Sequence, residues 1–306
     1  MPSLLSTIVR GQIKLLSPLI GGASLERTRR AQDNLGKLGT RALEGSVRFK
    51  PRPFSHFDAS WAIPLKGRVT QAILYLHGGA YTAGGLDYAQ GFGGLLAQRT
   101  GRAVMCVGYR LAPEDPFPAA LEDALACYRY MLERYEPEDI AFVGESAGGG
   151  LCYSLALRAR ELGLPQPSRI VAISPWTDLT MERDVSDVQG KDPLLSRDAL
   201  LEFAGMYAGQ HSLRDPLISP LFGDLKGIAP SLLFVGTAEI LLDDALLMQA
   251  RLLGAGSECV VHVEEGLWHV YVLYGVPESR HAMSMIEAYL RGGAEALAQA
   301  EQDDTA

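Results

Sequence analysis

From residue 71 onward the chain alternates short, almost wholly apolar runs with stretches of helical periodicity, and this alternation constrains the fold most. The apolar runs are 72–76 (AILYL), 103–109 (AVMCVGY), 140–143 (IAFV), 170–174 (IVAIS), 232–236 (LLFVG) and 259–263 (CVVHV). Strands apolar on both faces belong in a parallel sheet covered by helices on each side. The helical patterns between them span 89–100, 119–135, 147–162 and 243–253, with a last helix from Ser279. Right-handed crossovers through such helices give a doubly wound α/β fold. Two weaker strands, 47–49 and 57–63, are placed as an antiparallel edge. The expectation is a mostly parallel, eight-stranded sheet.

Two regions break the alternation. The first 45 residues are helical and arginine-rich (LERTRRAQDNLGKLGTR), and the interval between Ser174 and Leu232 is too long for an ordinary crossover. That interval carries its own helical pattern at 197–208 (RDALLEFAGMYA). Long insertions at the carboxyl ends of parallel strands lie over the ligand crevice. The division expected is a main domain from 46–176 and 213–306, with a small helical cap built from 1–45 and 177–212. There are no internal repeats.

The sharpest chemical signal is Gly144-Glu145-Ser146-Ala147-Gly148, a G-x-S-x-G between a strand and a helix. A turn this tight leaves little room for flanking side chains, and it lifts the serine hydroxyl above the sheet at a helix N-terminus. The plainer reading is a glycine-rich turn with an idle serine. A serine needs a base, and in this arrangement the chain order is serine, acid, histidine. Of six histidines, His56 and His77 precede the serine, His211 falls in the cap, His262 within the last strand and His281 within the last helix. Only His269 stands on a loop past the final strand, in EEGLWHV.

For the acid, Thr237-Ala238-Glu239 forms the loop at the carboxyl end of LLFVG. Asp243 and Asp244 follow where the pattern turns helical, and first-turn acids are explained by capping and the helix dipole. Glu239 is therefore the expected acid. The segment Gly78-Gly79-Ala80, directly after AILYL, lets backbone N–H groups approach a substrate carbonyl and hold its developing oxyanion. An ordinary turn is the alternative, with His77 bracing the loop.

Together these pieces resemble the hormone-sensitive-lipase-like branch of the α/β-hydrolases, the bacterial esterase family IV, over nearly the whole chain. His77-Gly78-Gly79-Ala80 is similar to that family's H-G-G-G, and Gly144–Gly148 to its G-D-S-A-G. The run YRLAPEDPF at 109–117 is similar to its Y-R-L-A-P-E. Ser174-Pro175-Trp176-Thr177-Asp178 and Asp215-Pro216-Leu217-Ile218-Ser219-Pro220 also fit. The resemblance implies oxyanion donors at Gly79, Ala80 and Ala147, a helical cap, short acyl esters as substrates, no cofactor or metal, and homodimers paired through the last edge strand. It also matches Glu239, thirty residues before His269, to the acid of a D-P-L-x-D segment. Two departures stand out: Ala80 for the last glycine, where only the backbone N–H is needed, and Glu145 for an aspartate, whose consequence the sequence does not give.

The function so implied is a carboxylesterase working through a Ser-Glu-His triad and an acyl-enzyme. Tyr81, Trp176, Phe203, Met206 and Tyr207 are expected to bound a shallow acyl pocket, their plainer reading being the cap's own core. A hormone receptor of the same fold is the non-catalytic rival; peptidase, amidase or lactonase activity would keep the chemistry and change the substrate.

Composition narrows the partners. The net charge of −8 and the lack of any basic run argue against nucleic acid. Cys106, Cys127, Cys152 and Cys259 are widely spaced and read as small buried hydrophobes, which suits a cytoplasmic location. In the N-terminal stretch, Arg10, Lys14 and Pro18 interrupt the apolar residues, unlike a signal peptide. Leu5, Val9, Ile13 and Leu16 share a helical face, expected to pack on the protein, with a membrane surface as the alternative.

Overall fold

The computed structural model describes residues 2–21, 24–188 and 190–305, which form one eight-stranded sheet with helices on both faces. The strands are β1 Val47–Pro53, β2 Asp58–Pro64, β3 Ala72–Leu76, β4 Ala103–Gly108, β5 Ile140–Glu145, β6 Arg169–Ile173, β7 Ser231–Gly236 and β8 Cys259–Glu264. Their order is β1-β2-β4-β3-β5-β6-β7-β8. The β1–β2 and β2–β4 pairs are antiparallel and every pair from β4 to β8 is parallel. The two weak edge strands are thus present: the first runs on to Pro53, beyond the expected 47–49, and the second lies one residue later than the expected 57–63.

Every residue of β3 is buried, and its side chains alternate between two cores. Leu74 and Leu76 join the core on one face, Ile73 and Tyr75 the core on the other. The first core packs under α4 Ala119–Leu132, α5 Ala147–Glu161 and α7 Leu242–Gly254. The second packs under α3 Leu86–Thr100 and α8 Pro277–Thr305, which kinks at Gly292 and Gly293. All four cysteines are buried and free.

The two regions outside the alternation fold as helices: α1 Leu4–Gly21 and α2 Leu25–Ala42 before the sheet, and α6 Arg197–Ala208 in the long insertion. The Arg29 guanidinium of α2 donates to the Thr82 and Ala112 carbonyls and pairs with Glu114. Arg10 of α1 donates to the carbonyls of Lys191, in the insertion, and Gly266. The expected packed face of α1 needs one correction. Val9 and Ile13 lie against the core, but Leu5 is 45% exposed, because Ser3 and Ser6 dock the helix on Glu278 instead. The Leu16 side chain lies outside the described residues. No helix among the described residues is long and apolar enough to cross a membrane.

Candidate active site

Ser146 sits between β5 and α5 with φ 54° and ψ −124°, a backbone conformation that L-residues rarely adopt. Three backbone hydrogen bonds hold it there. Its N–H donates to Ile173 O (2.8 Å), and its carbonyl accepts from Gly150 N (3.1 Å) and Trp176 N (3.0 Å). The flanking glycines are required by space: a Cβ on Gly144 would fall against the Gly148 carbonyl, and one on Gly148 against the Leu76 carbonyl. The turn therefore crosses directly over the end of β3.

His269 follows β8 on a loop whose Leu267 carbonyl accepts from Ala238 N and whose Gly266 N–H donates to Thr237 Oγ1. This ties the histidine's loop to the one after β7. The ring's Nε2 stands 2.9 Å from Ser146 Oγ. A serine hydroxyl donating there requires the hydrogen of the neutral ring to sit on Nδ1. Glu239 Oε2 lies 3.9 Å from that Nδ1, and both side chains are buried. His269 Nδ1 and Glu239 Oε1 each lack a hydrogen-bond partner among the described residues, and a shift of about 1 Å between the two loops would bring the 3.9 Å pair to bonding distance. Burial pulls the His269 pKa down to about 3, which keeps the ring neutral and able to accept a proton. Burial raises the Glu239 carboxyl, with Asp192 nearby adding to the rise and a hydrogen bond from Ser174 opposing it.

The segment after β3 bends sharply, with φ of 114° at Gly79, 53° at Ala80 and 61° at Tyr81. The N–H groups of Gly79, Ala80 and Ala147 have no acceptor among the described residues. Gly78 is corrected as an oxyanion donor: its N–H is already committed to Glu145 Oε1 at 2.6 Å. Here lies the use of the glutamate that departs from the aspartate pattern. Its other oxygen accepts from Tyr75 Oη at 2.7 Å, so Glu145 anchors the loop from beneath the sheet's end. His77 stacks on Tyr109 at 4.1 Å, and its Nδ1 donates to the Gly78 carbonyl at 2.7 Å, which braces the same loop.

The other acids separate cleanly. Asp243 is exposed at the start of α7. Asp244 is buried and turned away to the 174–178 segment, where it accepts from Thr177 N (2.7 Å) and Asp178 N (2.9 Å) and pairs with Arg183. Of the expected pocket residues, Tyr81 and Tyr207 stack at 3.7 Å, with Trp176 tilted 6.3 Å from Tyr81. All three are packed into the core; Phe203 and Met206, on the same α6, are half-buried against it.

Two residues beside this cluster are not among the site residues expected from the sequence. Ser174 Oγ donates to Glu239 Oε2 (2.8 Å) and accepts from Val270 N (3.0 Å). Asp192, from the insertion, accepts from Ile240 N at 3.2 Å. Ser174 was legible only as the first residue of a familiar motif, and Asp192 lies in a stretch with no periodicity to place it.

A buried neutral histidine on a serine held in a strained strand-to-helix turn, at the carboxyl ends of a mostly parallel sheet, defines the class as α/β-hydrolase. The family model for the alpha/beta hydrolase fold matches residues 73–273, and the chain belongs to that family. An acetyl-hydrolase of Streptomyces hygroscopicus is 36% identical over 266 residues, 86% of this chain and 87% of its own. An ethyl acetate hydrolase of Pseudomonas putida is 35% identical over 225 residues, covering 70% and 71%. Among solved structures, an esterase from the bacterial hormone-sensitive lipase family superposes with a TM-score of 0.89 at 32% identity, covering 96% of this chain and 99% of that one. The chain is an enzyme of this hydrolase group.

Proposed function

We propose that the protein hydrolyses short-chain carboxylic esters by two-step acyl transfer, with Ser146 as nucleophile, His269 as base and Glu239 as the acid that orients it. The observation that carries this reading is the 2.9 Å contact between His269 Nε2 and Ser146 Oγ. His269 takes the serine proton as Oγ attacks the ester carbonyl. The oxyanion is held by the N–H groups of Gly79, Ala80 and Ala147, aided by the N-terminus of α5. His269 then gives the proton to the leaving alcohol, and next takes one from the water that hydrolyses the acyl-enzyme. The names of the Streptomyces and Pseudomonas relatives favour a small acyl group. Helices α1, α2 and α6 serve as the cap in this reading, and the unpaired edge of β8 offers a surface for a homodimer.

A receptor built on this fold has no use for a serine already bonded to a neutral histidine. The test is Ser146→Ala together with fluorophosphonate labelling. Labelling of the wild type at Ser146, and a loss of about 10⁶-fold in kcat on substitution with Tm unchanged, are expected. Activity within tenfold of wild type in the alanine variant refutes the assignment.

A further inference from the structure

At the end of the sheet opposite Ser146, where β3, β4, β5 and β6 begin, a small cavity is lined by Arg99, Arg102 and Arg291, with Gln71, Thr100 and Glu287. Its volume of about 90 Å³ admits several waters or one small ion. We propose that this cavity binds an inorganic tetrahedral oxyanion of the phosphate type. The proposal is independent of the acyl-transfer reading.

Arg102 carries the argument. It is only 4% exposed. Its Nη2 donates to the Leu290 carbonyl, at the end of the α8 segment that breaks at Gly292 and Gly293. Its Nη1 has no hydrogen-bond partner among the described residues. No carboxylate lies within 4 Å of it among the described residues, although such pairs are found there for Arg99 and nine other arginines and lysines. A guanidinium cannot shed its proton, so a buried one without a counter-charge is costly. Capping Leu290 satisfies one nitrogen and answers only part of the charge.

The surroundings add to the imbalance. Burial lowers the Arg102 pKa to about 10, with repulsion from Arg169, the first residue of β6, adding to the fall and Asp139 opposing it. Glu287 is committed to Arg99 at 2.6 Å. Arg291 is exposed at the rim. Four guanidinium groups therefore face two carboxylates in a chain whose net charge is −8. Waters in the cavity would satisfy the orphaned N–H but leave the charge unanswered. An oxyanion does both, since its oxygens accept from Nη1 and from Arg291 while its charge offsets Arg102.

The test is thermal unfolding in a phosphate titration, with ionic strength held constant by sodium chloride. A saturable rise in Tm of about 3–5 °C is expected for the wild type. Arg102→Met should abolish the rise. Arg291→Gln, at an exposed position and so safe for folding, should raise the half-saturating concentration about tenfold, the worth of one charge-assisted hydrogen bond. A flat Tm in the wild type overturns the proposal, as does unchanged half-saturation in Arg291→Gln. Stabilisation by a nucleoside monophosphate but not by phosphate also overturns it, since a 90 Å³ cavity has no room for the nucleoside.

Discussion

Glu239 Oε2 lies 3.9 Å from His269 Nδ1 and accepts a 2.8 Å hydrogen bond from Ser174 Oγ. The same Oγ accepts the N–H of Val270, the residue after His269, at 3.0 Å. One hydroxyl thus links the loop that carries the acid to the loop that carries the histidine. Without it, the loops lose the bridge that runs through the acid itself, and the carboxylate loses a donor in a buried site. Ser174→Ala is expected to lower kcat about tenfold while KM for p-nitrophenyl butyrate stays within about twofold. A loss confined to KM, or none in either constant, contradicts the linking role.

Glu145 makes a pH prediction. Burial raises its carboxyl to about 7 from 4.5, against the hydrogen bonds from Gly78, Tyr75 and Tyr88 that favour the ionised form. Between those two values the folded protein holds a proton that the unfolded chain has released. The group's contribution to stability is therefore complete below pH 4.5 and is lost as pH rises through 7. His77 and His269, lowered to about 4 and about 3, act in the opposite sense. The unfolded chain protonates them below 6.5 while the folded chain does not, so their contribution falls as pH drops. Comparing Glu145→Gln with wild type isolates the glutamate, because the histidines are common to both. The difference in Tm, variant minus wild type, should grow more positive from pH 5 to 7.5. Parallel curves would show that Glu145 does not titrate there.

The pocket prediction concerns chain length. Tyr81, Tyr207 and Trp176 are buried and packed among themselves, and we propose that they wall the acyl site. Phe203 and Met206 remain half-buried on the adjoining helix. A closed aromatic wall leaves little depth for an acyl chain. The kcat/KM for p-nitrophenyl butyrate is expected to exceed that for the laurate ester by more than tenfold, and Phe203→Ala should narrow the ratio. A preference for long-chain triglycerides over butyrate esters would sink the short-chain reading.

The sheet was legible because its strands are apolar on both faces, a pattern that few other structures produce, and helix 197–208 was legible from its period alone. Ser146 and His269 could be read for a related reason: each stands at the carboxyl end of a recognisable strand, where chain order restricts the choice. Gly78 was misjudged because a backbone N–H looks the same in sequence whether free or bound. Its partner, Glu145, comes from 67 residues away. Leu5 fails similarly, since periodicity sees the apolar stripe of α1 but not the Glu278 carboxylate that holds Ser6. Ser174, Asp192 and the Arg102 cavity depend on contacts between distant segments, which no local pattern encodes.

The assignment of the acid admits the most direct test, because three carboxylates compete within six residues and the structure gives each a different environment. Glu239 is wholly buried on the loop after β7 and faces the histidine. Asp244 is also buried, but its oxygens are taken by Thr177 N, Asp178 N and Arg183. Asp243 is exposed in the first turn of α7, where an acid meets the helix dipole. An acid that holds the imidazole in its Nδ1–H form and stabilises its cation acts on the transition state, so Glu239→Gln should lower kcat by about 10⁴-fold with Tm nearly unchanged. An acid that braces a loop acts on the folded state. Asp244→Asn leaves the Arg183 guanidinium with one partner fewer and should cost about 3 kcal/mol of stability, with a much smaller effect on kcat. Asp243→Asn should change stability by about 0.5 kcal/mol or less and leave activity within twofold. The three variants therefore separate on two axes, kcat and Tm. If Asp243→Asn or Asp244→Asn is the inactive one while Glu239→Gln retains activity, the acid has been misassigned.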